Sequence, residues 1–196
     1  MGLNVAARNA SCEILVTGDA DMLMEDEALL RAVNACSERF DAVNPYTGLV
    51  DLTATETTAL VRGDIGITDI RRERVRDRLD EGELICFCGG ICAYRREVYF
   101  ALGGLDEDFV GWGGEDDAMS VNLGRYTDRM AVQQHTRAFH LWHPRSPDRY
   151  RHPHYQANRS LAASYRMMDD GELAGRRRRL RRFMGNPNRF RAMPQA

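Results

Sequence analysis

The chain has 196 residues, 43% hydrophobic and 29% charged, with a formal net charge of −2. That length holds one domain or slightly more around a sizeable core. The composition is that of a globular protein in water, and the near-neutral balance gives no general case for nucleic-acid binding. With no apolar run of membrane-spanning length, and no basic region followed by a hydrophobic stretch at the start, a cytoplasmic location is expected. All 27 basic residues are arginine, which excludes lysine Schiff-base chemistry and a P-loop lysine.

In chain order, Asn4 to Ser11 reads as the tail of a helix and Glu13 to Thr17 as a short apolar strand. The strand runs into Gly18-Asp19-Ala20-Asp21. A second helix opens at about Glu25, with Leu29, Leu30 and Val33 recurring at helical spacing. Strand, polar loop and helix in that order predict an α/β fold with functional groups at the strand's C-terminal end. From Asp41 to Asp80 the pattern is less regular, and the charged run Arg71 to Asp80 reads as a solvated helix. Strand-like stretches, Leu84 to Cys88 and Ile91 to Tyr94, flank Gly89-Gly90. A short helix, Arg95 to Leu102, then stops at Gly103-Gly104.

A loop of glycine and tryptophan, Gly111 to Gly114, leads into Glu115-Asp116-Asp117 and a helix from Asp117 to Tyr126. Met130 to Gln133 and Arg137 to Leu141 are strand-like, and a histidine-rich turn follows. The end of the chain reads as helical and basic, with Arg176 to Arg179 consecutive on a solvated face. The five cysteines (Cys12, Cys36, Cys86, Cys88 and Cys92) read as reduced thiols. Cys86 and Cys88 alternate along an apolar strand, as small core residues do.

Three groups of residues can carry chemistry. Asp19 and Asp21 follow an apolar strand at a spacing of two, which on a strand sends both side chains from one face, roughly 6.5–7 Å apart. Such a pair can address one divalent cation, magnesium or manganese, and its polyphosphate ligand. A calcium loop is excluded, because its fifth, sixth and twelfth positions would be Leu23, Met24 and Leu30. His140 and His143, three apart in a turn, can converge on the same cation, whereas His135, His152 and His154 lack that support. Glu115, Asp116 and Asp117 are adjacent anions at a helix start, suited to hydroxyl recognition and proton abstraction.

The order Asp19-Ala20-Asp21, Gly89-Gly90, Gly111-Trp112-Gly113-Gly114-Glu115-Asp116-Asp117 and His140…His143 resembles the catalytic half of GT-A glycosyltransferases. The pattern is closest to the C-terminal region of β-1,4-galactosyltransferases. It is also found in bacterial family-two transferases and polypeptide N-acetylgalactosaminyltransferases. The resemblance spans about Asn4 to Pro144 and includes the helix Asn4-Val5-Ala6-Ala7-Arg8-Asn9. It implies an α/β, GT-A-like (Rossmann-like) mixed sheet flanked by helices, without the family's N-terminal nucleotide-binding strands. The corresponding division is a catalytic region over 1–150 and an Arg-rich helical extension over 151–196.

The implied activity is metal-dependent, inverting transfer of a sugar from a nucleotide-sugar donor, UDP-linked by the pattern's leaning, to an acceptor hydroxyl. Asp21, His143, His140 and Asp19 would hold Mn2+ or Mg2+. His140 stands where the galactosyltransferases place a methionine, and imidazole is a harder donor than a thioether. Asp19, Asp21, Arg8, Trp112 and Gly90 would contact the donor, with Trp112 on a loop that closes over it. Asp116 would be the base, and Glu115, Asp117, Trp112, Gly113 and Gly114 would bind the acceptor. A sheet without its first strands exposes an edge that a second chain supplying the missing half could cover. Two other readings stand beside this one: a non-catalytic module or fragment binding a glycan or nucleotide sugar, and a zinc hydrolase using several histidines with Asp19 or Asp21.

Overall fold

The computed structural model describes residues 2–70, 75–78, 87, 89–144, 149–151 and 153–186. The chain divides into two compact units, one formed by 16–94 and 129–147, the other by 1–15, 95–128 and 148–196. Most of Leu84 to Cys88, both its cysteines included, and His152 lie outside the described residues.

The described residues form two mixed four-stranded sheets. The first has the order β1 (Ile14–Gly18), β6 (Ile91–Arg95), β3 (Ala42–Asn44), β7 (Met130–Val132). In it β3 runs antiparallel to β6 and parallel to β7. The second has the order β2 (Met22–Met24), β8 (Arg137–His140), β4 (Gly48–Asp51), β5 (Arg76–Asp77). Here β8 runs antiparallel to β2 and parallel to β4, and β4 pairs antiparallel with β5.

In the unit of 16–94 and 129–147, Ile91, Cys92, Ala93 and Tyr94 are all buried, the continuous apolar run of a strand covered on both faces. β8 is likewise covered on both sides. Ala138 packs with Met24, Ala28, Tyr46 and Ile91, while Phe139 packs with Val50, Leu52 and Ile70. Helix α2 (Asp26–Glu38) buries Ala28, Ala32 and Cys36, spaced one turn apart, so close packing rests on small side chains. Leu29 only flanks that core and Leu30 is 60% exposed, so the buried face is not the leucine face expected from spacing. Cys36 and Cys92 are fully buried, whereas Cys12 is exposed.

The segment that lacked clear pattern contains β3, β4 and α3 (Ala54–Arg62). Helix α3 opens on a reciprocal cap, Thr53 accepting from the Glu56 N–H and Glu56 from the Thr53 N–H. Within Arg71 to Asp80, Arg76 and Asp77 form strand β5 rather than helix, because they complete the open edge of β4.

The other unit is helical: α1 (Gly2–Asn9), α4 (Arg96–Leu102), α5 (Glu115–Gly124), α6 (Pro153–Met167) and α7 (Asp170–Phe183). Ala118, Tyr165 and Leu173 form one core, flanked by Phe109, Val121 and Leu161. Asn4 is fully buried and satisfied. Its amide donates to Leu105 O at 2.7 Å and Glu107 Oε1 at 2.9 Å, and its oxygen accepts from Tyr99 Oη and Leu105 N.

The arginine run is not simply a solvated face. Arg176 donates to the buried Asp106 carboxylate, which also accepts from Tyr165 Oη at 2.7 Å, and reaches Asp108 at 3.0 Å. Arg177 donates to Asn122 Oδ1 at 2.7 Å, while Arg178, Arg181 and Arg182 stay exposed. Acidic partners on the segment before α5 turn one side of α7 inward.

Candidate functional site

The second sheet gathers three of the residues singled out from sequence. Asp21 ends the turn before β2, and its carbonyl accepts from Leu141 N at 2.8 Å, continuing the β2–β8 ladder one step. His140 is the last residue of β8, between β2 and β4. His143 follows in the segment after β8. The result is that Asp21 Oδ2 lies 3.2 Å from His143 Nε2 and 3.5 Å from His140 Nε2. Asp21, His140 and His143 each offer one ligand atom, all within 4.8 Å of one another. The two imidazoles stand edge to face, 5.4 Å apart. They open on a cleft of about 490 Å³ lined also by Asp51, Leu52, Trp142 and Pro144.

Both histidines use Nδ1 elsewhere. His140 Nδ1 is 2.9 Å from Asp51 Oδ1, and His143 Nδ1 is 3.1 Å from Pro144 O. Those partners only accept, as does the Asp21 carboxylate, so a neutral ring that donates from Nδ1 turns the lone pair of its Nε2 toward Asp21. Two lone pairs facing an anion is a poor arrangement alone and a good one around a divalent cation. One carboxylate with two imidazoles suits manganese or zinc.

Asp19 is placed differently. It lies in a turn closed by Met22 N–H on Asp19 O at 3.1 Å, so the strand geometry expected for Asp19 and Asp21 does not apply. Its Oδ2 accepts from Gly90 N at 3.0 Å, and its N–H donates to Gly90 O at 2.9 Å. Burial lifts the Asp19 carboxyl above its ordinary range; the Gly90 N–H opposes this, the Asp21 charge adds to it, and His140 opposes it.

The acidic cluster belongs to the helical unit. Gly114 caps α5 with φ 95°, where an added Cβ would lie 3.1 Å from Asn158 O and Phe109 Cε1, so only glycine suits both backbone and neighbours. Glu115, Asp116 and Asp117 then fill the first turn, where free N–H groups favour anions. Glu115 Oε2 is buried with no hydrogen-bond partner among the described residues. Ahead of the helix, Trp112 is 51% exposed, stacked on Tyr155 at 5.5 Å and edge-on to Tyr150 at 5.4 Å. The buried Asn158 ties the loop down, donating to Val110 O at 3.0 Å and Trp112 O at 3.2 Å and accepting from Val110 N at 3.2 Å. Arg8 donates to Met184 O, beyond the end of α7, at 3.0 Å.

Sequence reasoning missed Asp51, Asn158, Tyr150 and Tyr155. No local pattern marks Asp51, whose partner His140 is 89 positions away. Tyr150 and Tyr155 could have been found as aromatic residues following a histidine-rich turn.

Residues 83–144 match the family described as the N-terminal domain of galactosyltransferase, about a third of the chain. No curated protein sequence matches the chain. Among solved structures, the fold is similar to the crystal structure of GalNAc-T7 with UDP, GalNAc and Mn2+, with a TM-score of 0.55 and 15% identity. The likeness covers 90% of this chain and 40% of that one, so the chain spans less than half of its neighbour's length. Among the described residues no helix is long and apolar enough to cross a membrane. The galactosyltransferase match is confined to residues 83–144, and the chain shares the mixed α/β fold of that glycosyltransferase structure.

Proposed function

We propose that the chain acts as a metal-dependent inverting glycosyltransferase, moving a sugar from a UDP-linked donor to an acceptor hydroxyl. The observation that carries this reading is the convergence of Asp21, His140 and His143 on one point. These three side chains would hold Mn2+. A cation there offsets the charge that develops on a departing nucleoside diphosphate. The Mn2+ and UDP of the neighbouring structure are consistent with such a donor.

In this reading Asp19, fixed by both polar groups of Gly90, positions the donor's ribose. Asp116 accepts the proton of the acceptor hydroxyl as its oxygen attacks the anomeric carbon, and one displacement inverts configuration. A helix start favours ionised Asp116, which suits a proton acceptor that acts late in the reaction. Glu115 offers a buried oxygen that lacks a donor, a fitting acceptor for a sugar hydroxyl. Trp112 with Tyr150 and Tyr155 gives an exposed aromatic surface on which a sugar ring can stack. Trp112 and Arg8 remain proposed donor contacts.

The test is nucleoside diphosphate release from a panel of nucleotide sugars with Mn2+, beside Asp116→Asn and Asp21→Ala controls. Release that needs metal and is lost in both controls supports the transferase. Donor binding without release would leave a binding module. The His2Asp donor set also suits a zinc hydrolase. Tightly retained zinc with hydrolysis in the absence of nucleotide sugar would favour that reading instead.

A further inference from the structure

We infer that Asp51 is a positioning residue of the metal centre, holding His140 in the one tautomer and ring orientation that presents Nε2 to the cation beside Asp21. This deepens the metal-dependent reading and rests on it.

The geometry begins in the sheet. Asp51 and His140 are direct register partners across the parallel β4–β8 pair, so their side chains leave the same face. The pairing continues beyond them, with Leu52 N donating to His140 O at 2.9 Å, which fixes the relative height of the two residues. Asp51 Oδ1 then meets His140 Nδ1 at 2.9 Å. A carboxylate at this distance accepts a hydrogen bond from Nδ1–H and leaves the opposite nitrogen free to ligate, and it raises the basicity of that nitrogen. Nε2 of His140 faces Asp21 Oδ2 at 3.5 Å. His143 Nδ1 meets a backbone carbonyl instead, Pro144 O at 3.1 Å, so its orientation does not depend on Asp51.

Asp51 is 55% exposed at the rim of the cleft, and its removal opens no core. Its role is therefore separable from folding. Partners of this kind typically change metal affinity by about 10–100-fold when removed.

The experiment has two readouts on the whole chain. Mn2+ affinity is measured by calorimetry for the native protein, Asp51→Ala and Asp51→Asn, with circular dichroism confirming the fold of each. The His140 tautomer is read from imidazole 15N shifts in the metal-free chain, assigned with His140→Gln. The expected result is native Nδ1–H at His140, Mn2+ binding about 10–100-fold weaker in Asp51→Ala, and substantial rescue in Asp51→Asn, whose amide oxygen still accepts. Native affinity in Asp51→Ala, or a native His140 carrying its proton on Nε2, overturns the proposal. A native chain that does not bind Mn2+ at all fails the metal reading, and the tautomer in Asp51→Ala then decides the positioning role alone.

Discussion

Gly90 grips Asp19 from both sides of a peptide, donating its N–H to the carboxylate and accepting the Asp19 N–H on its carbonyl. Its φ is 76°, and an added Cβ would fall 1.9 Å from the Tyr46 hydroxyl. Gly90→Ala therefore meets two penalties: the left-handed backbone, roughly 1–2 kcal/mol, and displacement of a buried phenol. A fall in melting temperature is expected, with partial recovery in Gly90→Ala/Tyr46→Phe, because the second change removes the clashing oxygen. Equal melting of both variants would refute the steric part. Tyr46 also sets a pH dependence. Burial pushes its phenol from 10 up to about 12, against the opposing pull of Arg78. The stabilisation tied to the neutral phenol is whole below pH 10 and is lost as pH rises through about 12. The unfolding free energy from denaturant titration should thus fall across that window by on the order of 2 kcal/mol, less steeply in Tyr46→Phe. Tyr165, raised chiefly by burial and next by Asp106, adds its own share in the same direction. The sequence shows Gly89-Gly90 between two strand-like stretches. It does not show that Gly90 serves a carboxylate 71 positions earlier, because only sheet pairing brings them together.

Among the elements, α7 best separates what the sequence displays from what tertiary contact decides. Its start is legible in Asp169-x-x-Glu172, a reciprocal cap that the structure contains. Its arginine run reads as solvated, since charge runs commonly are, yet Arg176 meets an almost fully buried Asp106. Burial works against the Arg176 charge, and the hydrogen bonds with Tyr165 and Asp106 outweigh it, raising the guanidinium above its ordinary range. Removing Arg176 leaves Asp106 buried without its charge partner, so Arg176→Ala should cost about 3 kcal/mol. Arg178→Ala, at an exposed position, should fall within about 0.5 kcal/mol of the native chain. Urea denaturation of the two variants checks the contrast, and equal losses would mean that Arg176 carries no particular weight. Strands β3 and β4 are three and four residues long, too short to give a strong alternating pattern. The Thr53-x-x-Glu56 signature, by contrast, was available to place α3.

At the scale of the molecule, the acidic loop and the histidine pair were legible because each is a local cluster, while the grouping of Asp21 with His140 depends on a sheet order that no local pattern encodes. Asp21, Asp51, His140 and His143 belong to one unit, and Asn4, Asp106, Asn158 and Arg176 to the other. A bound cation stabilises whatever must stay folded to hold it, by about 2.7 kcal/mol at a free concentration one hundred times its dissociation constant. Mn2+ should therefore slow amide hydrogen exchange in β2, β4 and β8 and leave α6 and α7 close to their metal-free rates. Asp21→Ala should abolish the difference, since it removes the one carboxylate of the three-residue set. Slowing by the same factor in α6 and α7 would instead mean that both units open together, and that the ligand's energy is shared across the chain.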